Sequence, residues 1–119
     1  MTKTRQALGQ WGEKVAASYL VSQGLVLLDR NWRTAAGEID IIAKEGDSLV
    51  FCEVKTRRGK AFGEAAEAVT AQKSIRLRSL ALQWLALSGI RPRQIRFDVV
   101  SVLISGGQAP QVDHLRDAF

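Results

Sequence analysis

The chain holds one cysteine, one histidine and two prolines among its 119 residues. A single cysteine (Cys52) forms no internal disulfide, and a single histidine (His114) builds no histidine-rich zinc site. A Cys–His nucleophilic pair stays formally open, but Cys52 sits in the run Leu49-Val50-Phe51-Cys52-Glu53-Val54, which suits a buried, inert thiol. No stretch approaches the roughly 18 uninterrupted apolar residues of a membrane span. No hydrophobic segment of signal-peptide type follows Met1-Thr2-Lys3-Thr4-Arg5-Gln6. The expectation is a cytoplasmic protein with no membrane partner. Walker-A loops, glycine-rich dinucleotide fingerprints and serine nucleophile elbows are also missing. What remains for catalysis is carboxylates and lysine.

Composition is otherwise ordinary, at 46% hydrophobic and 24% charged. A chain of this length buries most of the surface it exposes when unfolded, so one domain over residues 1–119 is expected to fold without disulfide or structural metal. The net charge of +5 is unevenly spread. Residues 1–53 carry six basic and seven acidic side chains, residues 54–96 ten and two, and residues 97–119 one and three. A middle third this basic is an electrostatic footprint for a polyanion, although lysine and arginine also simply solvate surfaces.

Residues 5–23 read as a helix, with Leu8, Trp11, Val15, Ala16, Tyr19 and Leu20 at helical spacing and Gly24 as the stop. Glu13 falls at the edge of that apolar arc. Residues 25–32, 38–44 and 49–56 read as strands, the last two joined by a hairpin at Glu45-Gly46-Asp47-Ser48. Residues 57–69 read as irregular, with a turn of helix around Ala65. Thr70 caps a helix running to about Ser88, which Gly89 and Pro92 end. Residues 94–104 form a further strand, and Gly106-Gly107 turns the chain into a short last segment. Helix, three strands, helix, strand predicts an α/β domain with a mixed sheet.

The hairpin register brings acids together. With Gly46 and Asp47 as the loop, Asp40 lies opposite Glu53 and Glu38 opposite Lys55. Strict alternation then puts Glu38, Asp40, Glu53 and Lys55 on one face with Ile42, Leu49 and Phe51. Ile39, Ile41, Ala43, Val50, Cys52 and Val54 take the other face, which must bury against a helix. In a non-hydrogen-bonded pair the Cβ atoms of Asp40 and Glu53 are about 4.5–5.5 Å apart. Two carboxylates ~4 Å apart repel by about 4 kcal/mol at an effective dielectric of 20. Protonating one acid or binding a cation between them relieves this, and hard divalent ions such as Mg²⁺ prefer carboxylate oxygens. A nearby lysine orients a water or stabilises charge developing on a phosphate. Plainer readings stay open: solvated acids on an exposed face, a Lys55–Glu38 ion pair, Glu13 as a surface acid, and Lys73, Arg76 and Arg78 as the polar face of the long helix.

Asp40 followed by Glu53-Val54-Lys55 resembles the Asp…Glu-x-Lys arrangement of the PD-(D/E)XK nucleases. More narrowly, the chain resembles the YraN-like family of predicted endonucleases, related to archaeal Holliday-junction resolvases. The segments that carry this are Gly12-Glu13 with Ala16, Asn31-Trp32-Arg33, Gly37-Glu38-Ile39-Asp40-Ile41-Ile42-Ala43, Phe51-Cys52-Glu53-Val54-Lys55-Thr56-Arg57, Lys73, Arg96-Phe97-Asp98-Val99 and Ala118-Phe119. Ile39 stands where the superfamily name has proline. The resemblance implies a restriction-endonuclease-like core, a mixed β-sheet flanked by helices. It implies that Asp40, Glu53 and the Val54 carbonyl hold Mg²⁺ or Mn²⁺, that Lys55 positions the attacking water, and that Glu13 completes the site. Phosphate contacts are expected from Arg57, Arg58, Lys60, Lys73, Arg76 and Arg78. The expected substrate is DNA, favoured over RNA, and branched or otherwise structured. Resolvase-like proteins act on symmetric junctions as homodimers, so the resemblance extends to a homodimer, for which no residue here speaks independently. The alternative is a catalytically silent nucleic-acid-binding or adaptor module on the same fold.

Overall fold

The computed structural model describes residues 2–59 and 69–119, with side chains from Ala7 onward. Helix α1 (Thr2–Ser22) leads into β1 (Val26–Thr34), β2 (Gly37–Glu45) and β3 (Ser48–Arg58). Helix α2 (Ala71–Ser88), β4 (Gln94–Ile104) and β5 (Gln111–Leu115) follow. The strands lie in sequence order in one sheet; β3 and β4 run parallel and every other neighbouring pair antiparallel. This is a mixed α/β sheet between two helices, consistent with a restriction-endonuclease-like core. Among the described residues no helix is long and apolar enough to cross a membrane. Lys60 and the turn of helix expected around Ala65 lie outside the described residues.

Each helix covers one face of the sheet. Ala16, Ala17 and Leu20 of α1 bury against Ile41, Ala43, Val50, Cys52, Val100 and Val102. Leu77, Leu80, Ala81 and Trp84 of α2, at helical spacing, bury against Ile39, Ile42, Leu49, Phe51 and Phe97. Full burial of one such leucine contributes about 1.5–3 kcal/mol. Thr70 Oγ1 accepts the Lys73 N–H at 3.1 Å as the N-cap of α2, and Gly89 ends it in the left-handed region at φ 73°. Trp11, expected within the buried arc of α1, is instead 41% exposed. A small stripe of Gly12, Ala16 and Leu20 is enough to seat the helix, so the indole is left at its flank.

The hairpin turn has Glu45 paired with Ser48, with Gly46 at φ 58° as the first of two loop residues. The expected register holds from that pair to Ile41↔Cys52, where the β2–β3 ladder ends. Opposition of Asp40 to Glu53, and of Glu38 to Lys55, is therefore replaced by a parting of the two strands. Strict alternation also fails there. Ile39 belongs to the α2 core together with Ile42, while Ile41 belongs to the α1 core. On β1, Arg30 and Asn31 both border α1, and Trp32 packs on the α2 core. Asn31 and Asp40 lie across from each other, between the pairs Arg30↔Ile41 and Trp32↔Ile39. Asn31 takes φ 53°, a left-handed conformation that asparagine tolerates better than most residues. Both strands thus change faces at one level, which turns Asp40 and Glu38 toward α1.

Candidate active site

Beyond Ile41↔Cys52, β3 continues against β4 alone while the β1–β2 ribbon peels away. The β3 backbone N–H groups on that side lose their ladder partners and need others. Asp40 Oδ2 supplies one, accepting the Val54 N–H at 2.8 Å. The carboxylate replaces a strand and holds the fork open.

Helix α1 closes the fork from one face. At Gly12 it comes so close to β3 that an added Cβ would lie 1.8 Å from Thr56 Oγ1. Only glycine permits this approach, and it sets the next residue, Glu13, over the fork. One carboxylate oxygen each from Glu13, Glu38 and Asp40 lies within 4.8 Å of the others. Burial raises the Asp40 carboxyl to about 8, with the nearby charge of Glu53 adding to the shift and the Val54 N–H opposing it. Burial, then the Glu38 charge, raises Glu13, against the contrary pull of Asn31, Arg30 and Arg33. Glu38 itself pairs with Arg33. This is a concentrated, incompletely neutralised set of hard oxygen donors, the chemistry that suits Mg²⁺ or Mn²⁺.

Glu53 reaches the fork from the α2 side and stands outside that three-carboxylate group. Its Oε1 accepts from Lys73 Nζ at 2.6 Å and lies 3.5 Å from Lys55 Nζ. Lys55 therefore pairs with Glu53 and not with Glu38. Burial lowers the Lys55 ammonium and the adjacent Lys73 lowers it further, with Glu53 opposing. Burial would also lower Lys73, but its hydrogen bond to Glu53 and the charge of Glu53 outweigh this and raise it. The two lysines are thus differentiated: Lys73 is the fixed charge, and Lys55 the one closer to giving up a proton.

The other expected basic residues separate. Arg57 and Arg58 follow Lys55 along β3, half-buried and exposed respectively, and Arg76 is exposed on α2. Arg78 is already engaged: its Nη2 donates to the Phe119 carbonyl at 2.8 Å and its guanidinium lies 4.6 Å from the Phe97 ring centroid. Lys73, grouped with them by charge, reaches into the site.

Two features escaped sequence reasoning. Glu38 joins the acid group; its two-residue spacing set it on one face with Asp40 in the sequence, but there it was read as the residue opposite Lys55 and not as a site residue. Asp98 is the second. It is 0% exposed on β4 and accepts from Arg96 Nε and Nη2 at 2.9 Å each and from the Asp117 N–H at 2.9 Å. His114 Nε2 lies 2.6 Å from its other oxygen. Burial acts to raise Asp98, but His114, Arg96 and the Asp117 N–H outweigh it and lower it. A lone aspartate inside an apolar strand must be paired, and that was its legible mark. Cys52 is buried as expected, and burial pushes its thiol up.

Residues 12–102 match the model of a family described as "Uncharacterised protein family UPF0102". A UPF0102 protein of Rhodococcus jostii is 55% identical over 113 residues, covering 95% of this chain and 96% of that protein. One of Nocardia farcinica is 51% identical over 115 residues, covering 97% and 91%. One of Frankia alni is 49% identical over 117 residues, covering 98% of each.

Proposed function

Because this chain belongs to the UPF0102 family, whose name specifies no activity, we propose from its chemistry that it is a metal-dependent endonuclease of PD-(D/E)XK type. The observation that carries the reading is the convergence of Glu13, Glu38 and Asp40 within 4.8 Å where β2 and β3 part. The neighbouring Glu53–Lys55–Lys73 cluster supports it. A structural role gives no reason to gather like charges in a half-buried place, since each costs desolvation and repels the others.

Asp40, Glu13 and Glu38 would hold Mg²⁺ or Mn²⁺, with Glu53 bordering the site. The cation, when bound, withdraws charge from the scissile phosphate and lowers the pKa of a water. Lys55 orients the attacking water toward phosphorus. The water gives up a proton to solvent as its oxygen forms the new P–O bond in line; the opposite P–O bond to the sugar breaks, and the leaving oxygen takes a proton from solvent. Lys73 holds Glu53 in place and keeps positive charge beside the pentacoordinate phosphate. Arg57, Arg58 and Arg76 contact the backbone of the substrate, with DNA favoured.

The test is cleavage by the purified protein of labelled four-way junction, flap, single-stranded and duplex DNA, and of RNA, each with Mg²⁺, Mn²⁺ or EDTA. Metal-dependent cleavage that is absent in Glu53→Gln supports the enzyme. Binding without cleavage of any substrate, unaffected by metal, supports a silent binding module instead.

A further inference from the structure

Trp11 is the one exposed aromatic side chain among the described residues, at 41%. Its position follows from the same close approach that sets Glu13. With Gly12 locked against Thr56 of β3, the residues on either side of it fall on opposite flanks of α1, about 200° apart at 100° per residue. Glu13 goes to the acid group, and Trp11 goes to the far end of β3 and β4. There it lines a shallow pocket with Ala7, Leu8, Arg58 and Ile104. Arg58 and Ile104 are partners in the parallel ladder, so a guanidinium stands at the rim of an apolar floor.

The composition of this pocket matches that of one nucleotide: an aromatic plane and apolar floor for a base, and an arginine for its phosphate. Duplex DNA presents base edges in its grooves and gives an indole face nothing to stack on. An unpaired base presents its face, and base–aromatic stacking tolerates any sequence. Arg58 is the last of three basic residues near the end of β3, after Lys55 and Arg57, and its charge sign favours a polyanion.

We propose that Trp11 and Arg58 form a stacking site for one unpaired nucleobase of the polynucleotide, Trp11 beneath the base and Arg58 on its phosphate. The site rests on the nuclease reading and deepens it by naming the substrate class: strands that carry an unpaired nucleotide, as in a flap or open branch.

Binding and cleavage separate the two ideas. In EDTA at low salt, full-length protein is titrated with a short labelled oligothymidylate and with duplex of the same length, while its tryptophan emission is followed. The site predicts quenching by the single strand. It predicts that Trp11→Ala weakens single-strand binding about tenfold and leaves duplex binding unchanged. Trp11→Phe, which keeps an aromatic face, should retain most of the affinity. Equal single-strand affinity of wild type and Trp11→Ala, or equal losses for single strand and duplex, overturns the stacking site. Metal-dependent cleavage alongside such a result leaves the nuclease standing. Quenching lost in Trp11→Ala without cleavage of any substrate keeps the stacking site and removes the nuclease.

Discussion

Two aspartates are buried on neighbouring parts of one sheet, and their surroundings are opposites. Asp98 is fully enclosed and has both oxygens satisfied by Arg96, His114 and the Asp117 N–H. Asp40 is 7% exposed, accepts one backbone N–H, and otherwise faces the acids Glu13, Glu38 and Glu53. One is held below the ordinary carboxylate range and the other far above it. The fold can neutralise a buried carboxylate on β4 by spending an arginine and its only histidine there. At the fork it does the reverse and collects carboxylates. The first arrangement stabilises the native state; the second destabilises the native state until something positive arrives.

The largest expected effect is on cleavage. Asp40→Asn and Glu53→Gln should each lower the cleavage rate by at least about 10²–10³-fold, as for removal of one charge-stabilising group. Asp40→Asn should also fold at least as stably as wild type, because the amide oxygen still accepts the Val54 N–H while the repulsion disappears. A variant that cuts at the wild-type rate, or that unfolds, breaks the contrast. Asp98→Asn should do the opposite. It weakens the hydrogen bonds that Arg96 and His114 make to a fully buried carboxylate, leaving Arg96 its Glu45 partner, and should cost about 1–3 kcal/mol in urea unfolding. Its cleavage per folded molecule should be unchanged.

A divalent cation sharpens the comparison further. Mg²⁺ at about 100 times its dissociation constant should add roughly 2.7 kcal/mol to wild-type stability, and much less to Asp40→Asn. In EDTA the two acids respond to pH in opposite directions. Asp40 has a folded pKa above its unfolded value, so its contribution is full below about pH 4 and is lost as pH rises through about 8. Asp98 has a folded pKa below its unfolded value, so its contribution is full above about pH 4 and is lost on acidification. Thermal melting between pH 4 and 8 should fall with pH in EDTA for wild type and stay flatter in Asp40→Asn. Equal slopes for the two proteins would contradict the assignment.

How much of this was legible follows from how local each signal was. Thr70, Gly89 and the apolar spacing of Leu77, Leu80 and Trp84 mark α2 within its own sequence. Gly46-Asp47 fixes the hairpin register down to Ile41↔Cys52. The fork was not legible, because alternation assumes that a strand keeps its pleat, and the left-handed Asn31 breaks it on the partner strand. Glu13 was legible only as an edge residue of a helix. What puts it over Asp40 is the contact of Gly12 with Thr56, 44 positions away in the chain. Charge sign marked Lys73 and Arg78 as alike, although Lys73 meets Glu53 and Arg78 meets Phe119. Composition does not reveal which cations are already engaged.

That last distinction gives the smallest and most specific test. Arg78 donates to the Phe119 carbonyl and lies over Phe97, so it stands on the neutralised side of the comparison with Arg96. Arg76, one position from the buried Leu77 on α2, is exposed and makes no ion pair among the described residues. If both were phosphate contacts, replacing either by alanine would reduce the slope of log affinity against log salt by about 1. The structure separates them. Arg76→Ala should lower the slope by about that amount and weaken DNA binding severalfold, with no change in melting temperature. Arg78→Ala should leave the slope nearly unchanged and cost about 1 kcal/mol of stability, the worth of one cation–π contact with its hydrogen bond. Salt titrations of both variants on one duplex decide it: equal slopes would mean that Arg78 leaves the Phe97 ring to meet phosphate.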